Sequence, residues 1–464
     1  MTRRELHEKC AVFAIFDPAA DAARAAYYSL YALQHRGQES SGIVTSDGRR
    51  LYRHTGMGLV SQVYQEEDLV ALHGSIGIGH NRYSTSGGTT ADHNQPIWNK
   101  EAKVAFAHNG NLPSTAALEA FLDQLGVEHA DSNDSEMMAA AISYYVANGM
   151  DLAGAVERCY KYFTGAFACV AMDATQVVAF RDSCGIRPLS LAKTEKGWVV
   201  ASETCAFDTI GAAFLREVQP GEMIIIDRHG LRSRQLAEPS LKLDIFEFVY
   251  FARPDSLLAG RRVGEVRRSL GVKMAAEHPI AADVVVPMPD SAIPAAVGFA
   301  HAAGLPFDHG LIKNRYIHRT FIQPGNALRQ QSLHLKFNPV PEVLMGKRVV
   351  LVDDSIVRGN TTRKMIKMLY GAGAKSVSVL ISSPPVKYPD FYGIDTPRQE
   401  DLIGAQKSVE EIRQDIGSDY LGYLSYNGML EATHLPANQF STSCFDGVYP
   451  IDIHERAAEV MALA

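Results

Sequence analysis

The spacing of apolar residues divides the chain into two parts with different secondary-structure patterns. In the first part, short apolar or β-branched runs end at Gly, Asp or Asn, which is typical of strands in antiparallel sheets. The predicted strands are 12–16, 42–46, 75–79, 103–107, 166–172, 176–180, 197–201 and 223–226, and amphipathic periodicity predicts helices at 22–33, 114–125, 135–147 and 152–163. Strands and helices are only partly interleaved, which favours an α+β layered fold.

The second part of the chain alternates strongly apolar, β-branched runs with helical segments. The predicted strands are 282–287, 348–352 and 376–381, and the last two flank a predicted helix at 362–371. Such runs indicate an α/β domain with a buried parallel sheet. The change of pattern falls in the polar segment 233–244. We therefore predict one domain over 10–240 and a second over 241–464, which ends in a helical segment.

The most informative segment is Asp-Asp-Ser-Ile-Val-Arg-Gly-Asn-Thr-Thr at 353–362, which follows a predicted buried strand. Ligands of open α/β sheets bind beyond the carboxyl ends of the strands, and free amides at a helix N-terminus favour an anion. Gly359 permits a close approach of the backbone, and the carboxylates of Asp353 and Asp354 can hold sugar hydroxyls or Mg²⁺. The segment predicts a site for a phosphorylated ribose. A polar loop that only caps the next helix is the simpler alternative.

Composition narrows the classes of ligand and partner. The 464 residues carry a formal net charge of −7, from 45 Lys and Arg against 52 Asp and Glu. With 46% apolar and 21% charged residues, the chain is typical of a folded protein with several cores. No basic run is present, which argues against nucleic-acid or anionic-membrane binding. An anionic ligand must therefore be bound by local amides and a few placed cations.

Cysteine spacing and hydropathy address the cellular compartment. The six cysteines are scattered, without a CxxC pair or a zinc-like spacing. The most apolar stretch, 292–307, is interrupted by Pro294 and Pro306 and is too short to cross a bilayer. The N-terminal segment lacks the features of a signal peptide. We therefore expect a cytoplasmic protein.

The segment at 353–362 resembles the phosphoribosyl pyrophosphate motif of the phosphoribosyltransferases. Further strings extend the resemblance over nearly the whole chain to one group of them, the glutamine phosphoribosylpyrophosphate amidotransferases. These strings are FVYFARPDS at 248–256, PDS at 289–291, LIKNRYIHRTFIQP at 311–324 and VEEIRQ at 409–414. The resemblance implies an αββα sandwich of the N-terminal nucleophile hydrolase class, followed by an α/β phosphoribosyltransferase domain.

The resemblance also implies roles for residues of the second domain. A basic segment is expected to fold over the pyrophosphate group, where its cations would meet the developing charge. Ser291, Asp353 and Asp354 match magnesium contacts of the family, and a serine hydroxyl is the weaker ligand among them. The full set of expected contacts to phosphoribosyl pyrophosphate is Asp353, Asp354, Ser355, Arg358, Gly359, Asn360, Thr361, Thr362, Lys313, Arg315, Tyr316 and Arg319.

In the first domain the resemblance implies that Cys10 is the nucleophile of a glutaminase. Residues 1–9 would be a leader, and its removal would give Cys10 a free α-amino group, which can act as a general base near neutral pH. Asn109 and Gly110 would stabilise the oxyanion. The residues expected to bind glutamine are Arg82, Asp134, His80 and Arg36. Without the resemblance, a lone cysteine here would be read as a small core residue.

Two departures from the family pattern affect these expectations. Ala11 and Ala14 replace glycines beside the nucleophile, and a position with positive φ would make such a residue cost about 1–2 kcal/mol. The positions at which some members bind a [4Fe–4S] cluster through four cysteines are here Asp244, Asp390, Ser441 and Cys444. One thiolate cannot hold this cluster, so no iron–sulfur cluster is expected.

The function implied is the first committed step of de novo purine biosynthesis. Glutamine, phosphoribosyl pyrophosphate and water would give 5-phosphoribosylamine, glutamate and pyrophosphate, with Mg²⁺ as cofactor. Two alternatives are an ammonia-dependent transferase with an impaired glutaminase half and a catalytically silent regulatory paralogue. The resemblance also implies a homodimer or homotetramer that purine nucleotides inhibit.

Overall fold

The computed structural model describes residues 9–83, 93–314, 336–393 and 398–461. The first half of the chain forms two antiparallel sheets, and the second half forms a parallel sheet with flanking helices. Both fold classes predicted from the sequence are confirmed. None of the helices in these ranges has the length and apolar character needed to cross a membrane.

The first half contains two sheets built from thirteen strands of the described residues. These are β1 (Lys9–Phe16), β2 (Ser40–Ser46), β3 (Leu51–Met57), β4 (Ile76–Tyr83), β5 (Ile97–Asn99), β6 (Val104–Asn111), β7 (Ala166–Met172), β8 (Gln176–Arg181), β9 (Ser190–Lys193), β10 (Trp198–Ala201), β11 (Ala213–Glu217), β12 (Glu222–Asp227) and β13 (Gly230–Gln235). One sheet has the order β11-β9-β10-β1-β4-β2-β3 and the other β13-β12-β8-β7-β6-β5.

Helices cover the outer face of each sheet. They are α1 (Ala22–Ala32), α2 (Val60–Val63), α3 (Glu66–Ala71), α4 (Ala116–Leu125), α5 (Asp134–Ala147), α6 (Leu152–Tyr160) and α7 (Cys205–Asp208). Successive side chains of a strand point to opposite faces. Along β1, Phe13 and Ile15 accordingly pack toward the helices, whereas Val12 and Ala14 face the second sheet. The half is therefore a four-layer αββα sandwich.

The second half centres on a four-stranded parallel sheet in the order β17-β20-β21-β22. The described residues of the second half form these strands, of which the other six pair in twos: β14 (Leu243–Asp244), β15 (Leu257–Leu258), β16 (Arg261–Arg262), β17 (Val284–Pro287), β18 (Leu311–Lys313), β19 (Phe337–Pro339), β20 (Arg348–Asp353), β21 (Ser376–Ile381), β22 (Tyr420–Tyr423) and β23 (Phe440–Ser441). Its helices are α8 (Val263–Glu277), α9 (Ile293–Ala303), α10 (Pro341–Leu344), α11 (Asn360–Gly371), α12 (Ile403–Gln406), α13 (Val409–Ile416), α14 (Tyr426–Ala432) and α15 (Ser443–Asp446). A π-helical turn, Glu247–Phe251, precedes α8.

A buried group of charged residues joins the two halves. This junction cluster consists of Arg36, Arg187 and Glu203 from the first half and Asp244 and Glu247 from the second. Arg36 donates to Glu203 and to Glu247, and Arg187 lies 3.1 Å from both Glu247 and Asp244. Buried charges are retained only where they are paired, so the cluster requires both halves to be in place.

The most apolar stretch of the sequence, 292–307, contains α9, whose backbone packs very close to that of α8. A Cβ atom at Gly271 would lie 1.9 Å from the carbonyl oxygen of Ala295, and one at Gly298 would lie 2.1 Å from that of Arg268. Two glycines facing each other thus let the helix backbones touch. Backbone atoms cannot swing aside as a side-chain end can, so neither position has room for a methyl group.

We predict that Gly298→Ala lowers the free energy of unfolding by at least about 2 kcal/mol, because the helices must separate to admit the methyl group. Gly371→Ala is the matched control, since its Cβ would meet no heavy atom within 4 Å. It should leave stability unchanged or raise it by up to about 1 kcal/mol. Urea denaturation of both variants measures the difference, and equal stabilities would contradict the close contact.

Candidate active sites

Cys10 lies at the N-terminal end of β1, between the two sheets of the sandwich. Cys10 pairs directly with Arg82 of β4. Both share the strand face of Val12 and Ile78, which point into the layer between the sheets. Cys10 is 1% exposed and forms no disulfide bond. The backbone register therefore brings a thiol and a guanidinium side by side at one end of this layer.

Asn109 and Gly110 lie at the end of β6, the strand of the second sheet that packs against β1. The Nδ2 atom of Asn109 donates to the hydroxyl of Ser202 at 3.4 Å, and that hydroxyl accepts from the amide of Val12 at 3.0 Å. Gly110 has a φ of 151°, and a Cβ atom there would lie 2.0 Å from the carbonyl oxygen of Ala166. Only glycine fits this position, which orients the Gly110 amide.

His80 and Asp134 border the same group of residues. The Nε2 atom of His80 lies 3.1 Å from the carbonyl oxygen of His108, and burial lowers the pKa of His80 to about 3, so the neutral ring donates to this carbonyl. Asp134 begins α5, and its carboxylate accepts from the amides of Leu112 and Ser135 at 3.1 and 2.7 Å. A helix N-terminus stabilises such a carboxylate.

Arg36 is the predicted glutamine contact that the structure does not bring to this group. Its Nε, Nη1 and Nη2 atoms all donate to carboxylates of Glu203 and Glu247. The guanidinium is therefore committed to the junction cluster, and its side chain points toward the second half. The family resemblance places Arg36 near the site but does not reveal this direction.

The alanines beside the nucleophile are not strained. Ala11 and Ala14 lie within β1 and are fully buried, and neither has a positive φ. The penalty expected for a non-glycine residue with positive φ therefore does not apply. Ala11 packs toward the helices and Ala14 into the layer between the sheets.

The predicted phosphate loop connects β20 to α11 at the carboxyl edge of the parallel sheet. Gly359 has a φ of 75° and directly precedes the first helical residue, Asn360. Asp353 and Asp354 are 8% and 6% exposed. Burial and the neighbouring Asp354 carboxylate raise the pKa of Asp353 well above its usual range. Two adjacent buried carboxyl groups of this kind favour a cation or a hydroxyl-rich ligand.

Side chains from neighbouring strands support these carboxylates. Ser291 follows β17 and donates to Asp354 at 2.5 Å, and Ser355 donates to it at 2.7 Å. Ser383, which follows β21, donates to the Asp354 carbonyl at 2.8 Å. Lys313 lies 2.8 Å from Asp290, the residue before Ser291. The sequence did not indicate Ser383, because only the sheet order brings it to the loop.

The rest of the predicted loop faces outward. Arg358, Asn360 and Thr361 are exposed, whereas Thr362 is buried. Arg358 lies 3.5 Å from Asp401 at the surface. The remaining predicted contacts lie outside the described residues; they are Arg315, Tyr316 and Arg319.

The donor atoms around the loop suit a hard cation. Asp353, Asp354 and Ser291 offer only oxygen atoms, which Mg²⁺ prefers. Within the part of the chain that the structure describes, no three or more His, Cys, Asp or Glu side chains are arranged as a metal site. Mg²⁺ is commonly held by one or two carboxylates together with substrate phosphates, so this small donor set fits that metal.

The four positions at which some relatives bind an iron–sulfur cluster do come close together here. Asp244 pairs with Ser441 in a short parallel bridge, and Ser443 lies 3.5 Å from Asp390. Burial, followed by the Asp244 carboxyl, raises the pKa of Cys444 well above its usual range. A single buried thiol among carboxyl groups is a poor set of donors for iron–sulfur ligation.

The fold and both sites define a glutamine amidotransferase joined to a phosphoribosyltransferase. The glutamine amidotransferase domain model matches residues 80–209, and the phosphoribosyl transferase domain model matches residues 256–384. The amidophosphoribosyltransferase of Synechococcus elongatus is 48% identical over 97% of this chain and 92% of its own length, and that of Bacillus subtilis is 43% identical over 97% and 96%. The chain belongs to the amidophosphoribosyltransferase family and is an enzyme of the transferase class.

Solved structures agree with this assignment. The glutamine phosphoribosylpyrophosphate amidotransferase of B. subtilis, complexed with ADP and GMP, superposes with a TM-score of 0.89 at 43% identity, covering 96% of this chain and 98% of that one. A structure described as the allosteric regulatory enzyme of purine biosynthesis gives a TM-score of 0.90 at 42% identity, covering 98% and 100%.

We predict that Arg36→Met lowers the free energy of unfolding by about 3–5 kcal/mol, because Glu203 and Glu247 lose their buried partner. Arg24→Met is the control, since Arg24 pairs with Glu66 at the surface and should leave stability nearly unchanged. Thermal denaturation and the KM for glutamine are measured together. A large rise in KM without a loss of stability would instead make Arg36 a glutamine contact.

Proposed function

We propose that the two halves of the chain carry out one coupled reaction, the glutamine-dependent formation of 5-phosphoribosylamine from phosphoribosyl pyrophosphate. The observation that carries this proposal is the pairing of Cys10 with Arg82, beside Asn109 and Gly110, in a chain whose other half holds the 353–362 loop. The first half would supply ammonia, and the second half would bind the activated sugar that the ammonia attacks.

In the first half, Cys10 is the nucleophile. Its sulfur attacks the side-chain amide carbon of glutamine, and Asn109 and Gly110 stabilise the oxyanion that forms. Collapse of this intermediate releases ammonia and leaves a thioester, which water hydrolyses to glutamate. Arg82 binds the α-carboxylate through its fork of donors, and Asp134 binds the α-ammonium group.

The general base is the α-amino group of Cys10 itself. We propose that residues 1–9 are a leader whose removal frees this amine, with a pKa of about 8. The amine takes the thiol proton and later gives it to the leaving ammonia. A backbone amide at the same position cannot accept a proton, so an uncut chain would lack the base.

In the second half, the loop at 353–362 binds the activated sugar. Asp353 and Asp354 hold the ribose hydroxyls, while loop amides and hydroxyls bind the 5-phosphate. Ammonia attacks C1 of the ribose and pyrophosphate leaves with the bonding electrons. Mg²⁺, held by Ser291, Asp353 and Asp354 together with the substrate, would neutralise charge on the pyrophosphate. The pyrophosphate group would also be contacted by the cation of Lys313 and by Arg315, Tyr316 and Arg319.

The wider setting follows from this reaction. Ammonia passes internally, because free ammonia near neutral pH is largely protonated and no longer nucleophilic. We retain 10–240 and 241–464 as the two domains, the cytoplasm as the compartment, and a homodimer or homotetramer as the assembly. Purine nucleotides are the proposed inhibitors, a proposal supported by the related B. subtilis structure with ADP and GMP.

We predict that Cys10→Ala abolishes glutamine-dependent release of pyrophosphate, by at least about a thousandfold, and preserves the reaction with ammonium salts. Cys169→Ala is the matched control, because Cys169 is equally buried but lies in the middle of β7, and it should keep both reactions. Both rates are measured on the purified full-length proteins.

Three results of these assays would contradict the proposal or select an alternative. Wild-type activity with ammonia but none with glutamine would indicate an impaired glutaminase, and binding without any turnover would indicate a silent paralogue. Intact mass of the wild type is recorded on the same sample. Full glutamine-dependent activity with residues 1–9 still attached would overturn the amine as the base.

We predict that Asp354→Asn lowers both the glutamine-dependent and the ammonia-dependent reactions by at least about a hundredfold, because the sugar and its metal lose a charged ligand. Asp283→Asn is the control: Asp283 pairs with Arg348 at the opposite edge of the same sheet. Titration with MgCl₂ should show a raised metal requirement only for Asp354→Asn. Loss of the glutamine reaction alone would contradict a role in sugar binding.

A further inference from the structure

Two adjacent buried residues after β10, Ser202 and Glu203, contact different halves of the molecule. Both are 0% exposed. The Ser202 hydroxyl lies against β1 and Asn109, whereas the Glu203 carboxylate accepts from residues of the second half. Neither residue has a part in the reaction proposed above, and burial of a fully used hydroxyl next to a fully used carboxylate calls for an explanation.

The hydrogen bonds of Ser202 fix the orientation of the Asn109 amide. A hydroxyl has one hydrogen and accepts two further bonds. The Val12 amide donates to the Ser202 oxygen at 3.0 Å, and that hydroxyl donates to the Val12 carbonyl at 3.5 Å. The remaining acceptor position takes Nδ2 of Asn109 at 3.4 Å. Asn109 is thereby held with Nδ2 toward Ser202, which leaves its second N–H for an oxyanion.

Glu203 is held by the second half. Its Oε2 atom accepts from the Arg253 amide at 2.9 Å and from the Ser256 hydroxyl at 2.6 Å. Burial alone would raise the pKa of Glu203, but the attraction of Arg36 and His35 holds it well below its usual range. A buried carboxylate keeps such donors, because losing one leaves a charged acceptor unsatisfied.

The contacts of this segment continue from Arg253 to α8. The carbonyl of Ala252, the preceding residue, accepts from Arg267 of α8 at 2.8 Å. Burial lowers the pKa of Arg267, and the Asp354 carboxylate is the strongest of the charges that oppose this. Hydrogen bonds thus join Asn109 to Ser202 and the adjacent Glu203 to the 253–256 segment, and Ala252 to Arg267 of α8.

We propose that Ser202 is a positioning residue of the glutaminase site, which holds Asn109 ready for the oxyanion, and that Glu203 ties this position to the 252–256 segment of the transferase half. The proposal rests on the role of Asn109 in the proposed function. Its consequence is that glutamine is hydrolysed efficiently only when the 252–256 segment of the transferase half is in place.

Ser202→Ala tests the first part. We expect the kcat for glutamine-dependent pyrophosphate release to fall about tenfold, less than the loss for a deleted oxyanion donor, with KM for glutamine within twofold and the ammonia-dependent rate unchanged. Ser190→Ala is the matched control, because Ser190 is 0% exposed on β9 and its hydroxyl has no hydrogen-bond partner among the described residues. A kcat within twofold of this control, or an equal fall with ammonia, would overturn the role of Ser202.

Ser256→Ala tests the connection to the transferase half, since it removes a donor to Glu203 from the opposite domain. We expect a twofold to fivefold fall in kcat with glutamine, and an unchanged rate with ammonia. A glutamine-dependent kcat equal to that of the wild type would overturn the connection. Failure of the proposed function itself is distinguishable, because wild-type protein would then release no pyrophosphate with glutamine, whether or not it does so with ammonia.

Discussion

The pairing of Arg36 with Glu203 and Glu247 is the interaction on which the arrangement of the two halves depends. Three charged groups are withdrawn from water, and each is tolerable only because the others are present. Since Glu247 belongs to the second half and the other two to the first, neither half can complete the pairing alone. The specificity of the arrangement comes from this requirement more than from any gain in stability, because buried ion pairs contribute little beyond the cost of their desolvation.

Most of the fold was predictable because its signals are local. The alternation of side chains between the two faces of β1 and the apolar run of β20 can both be recognised from consecutive residues. Strands 166–172 and 376–381 are predicted with their observed ends. The strands that sequence reasoning missed are short or exposed ones. They include β3, β9, β11 and β13, whose mixed polar composition gives no clear alternation.

The sites divide in the same way. The phosphate loop is one continuous string, so its strand, turn and helix could be placed from sequence alone. Ser383 and Ser202 could not, because only strand order brings them to Asp354 and Asn109. Arg36 shows a further limit: a resemblance can bring a residue near a site but does not give the direction in which its long side chain points.

The contacts of Glu203 limit how freely the halves can be recombined. A glutaminase module taken from this chain and fused to a foreign transferase would carry a buried anion whose donors at 253 and 256 stayed behind. A functional chimera would have to import that segment and Glu247 with it. The point at which domains could be exchanged therefore lies past residue 256, well beyond Gln235, where the last strand of the two antiparallel sheets ends.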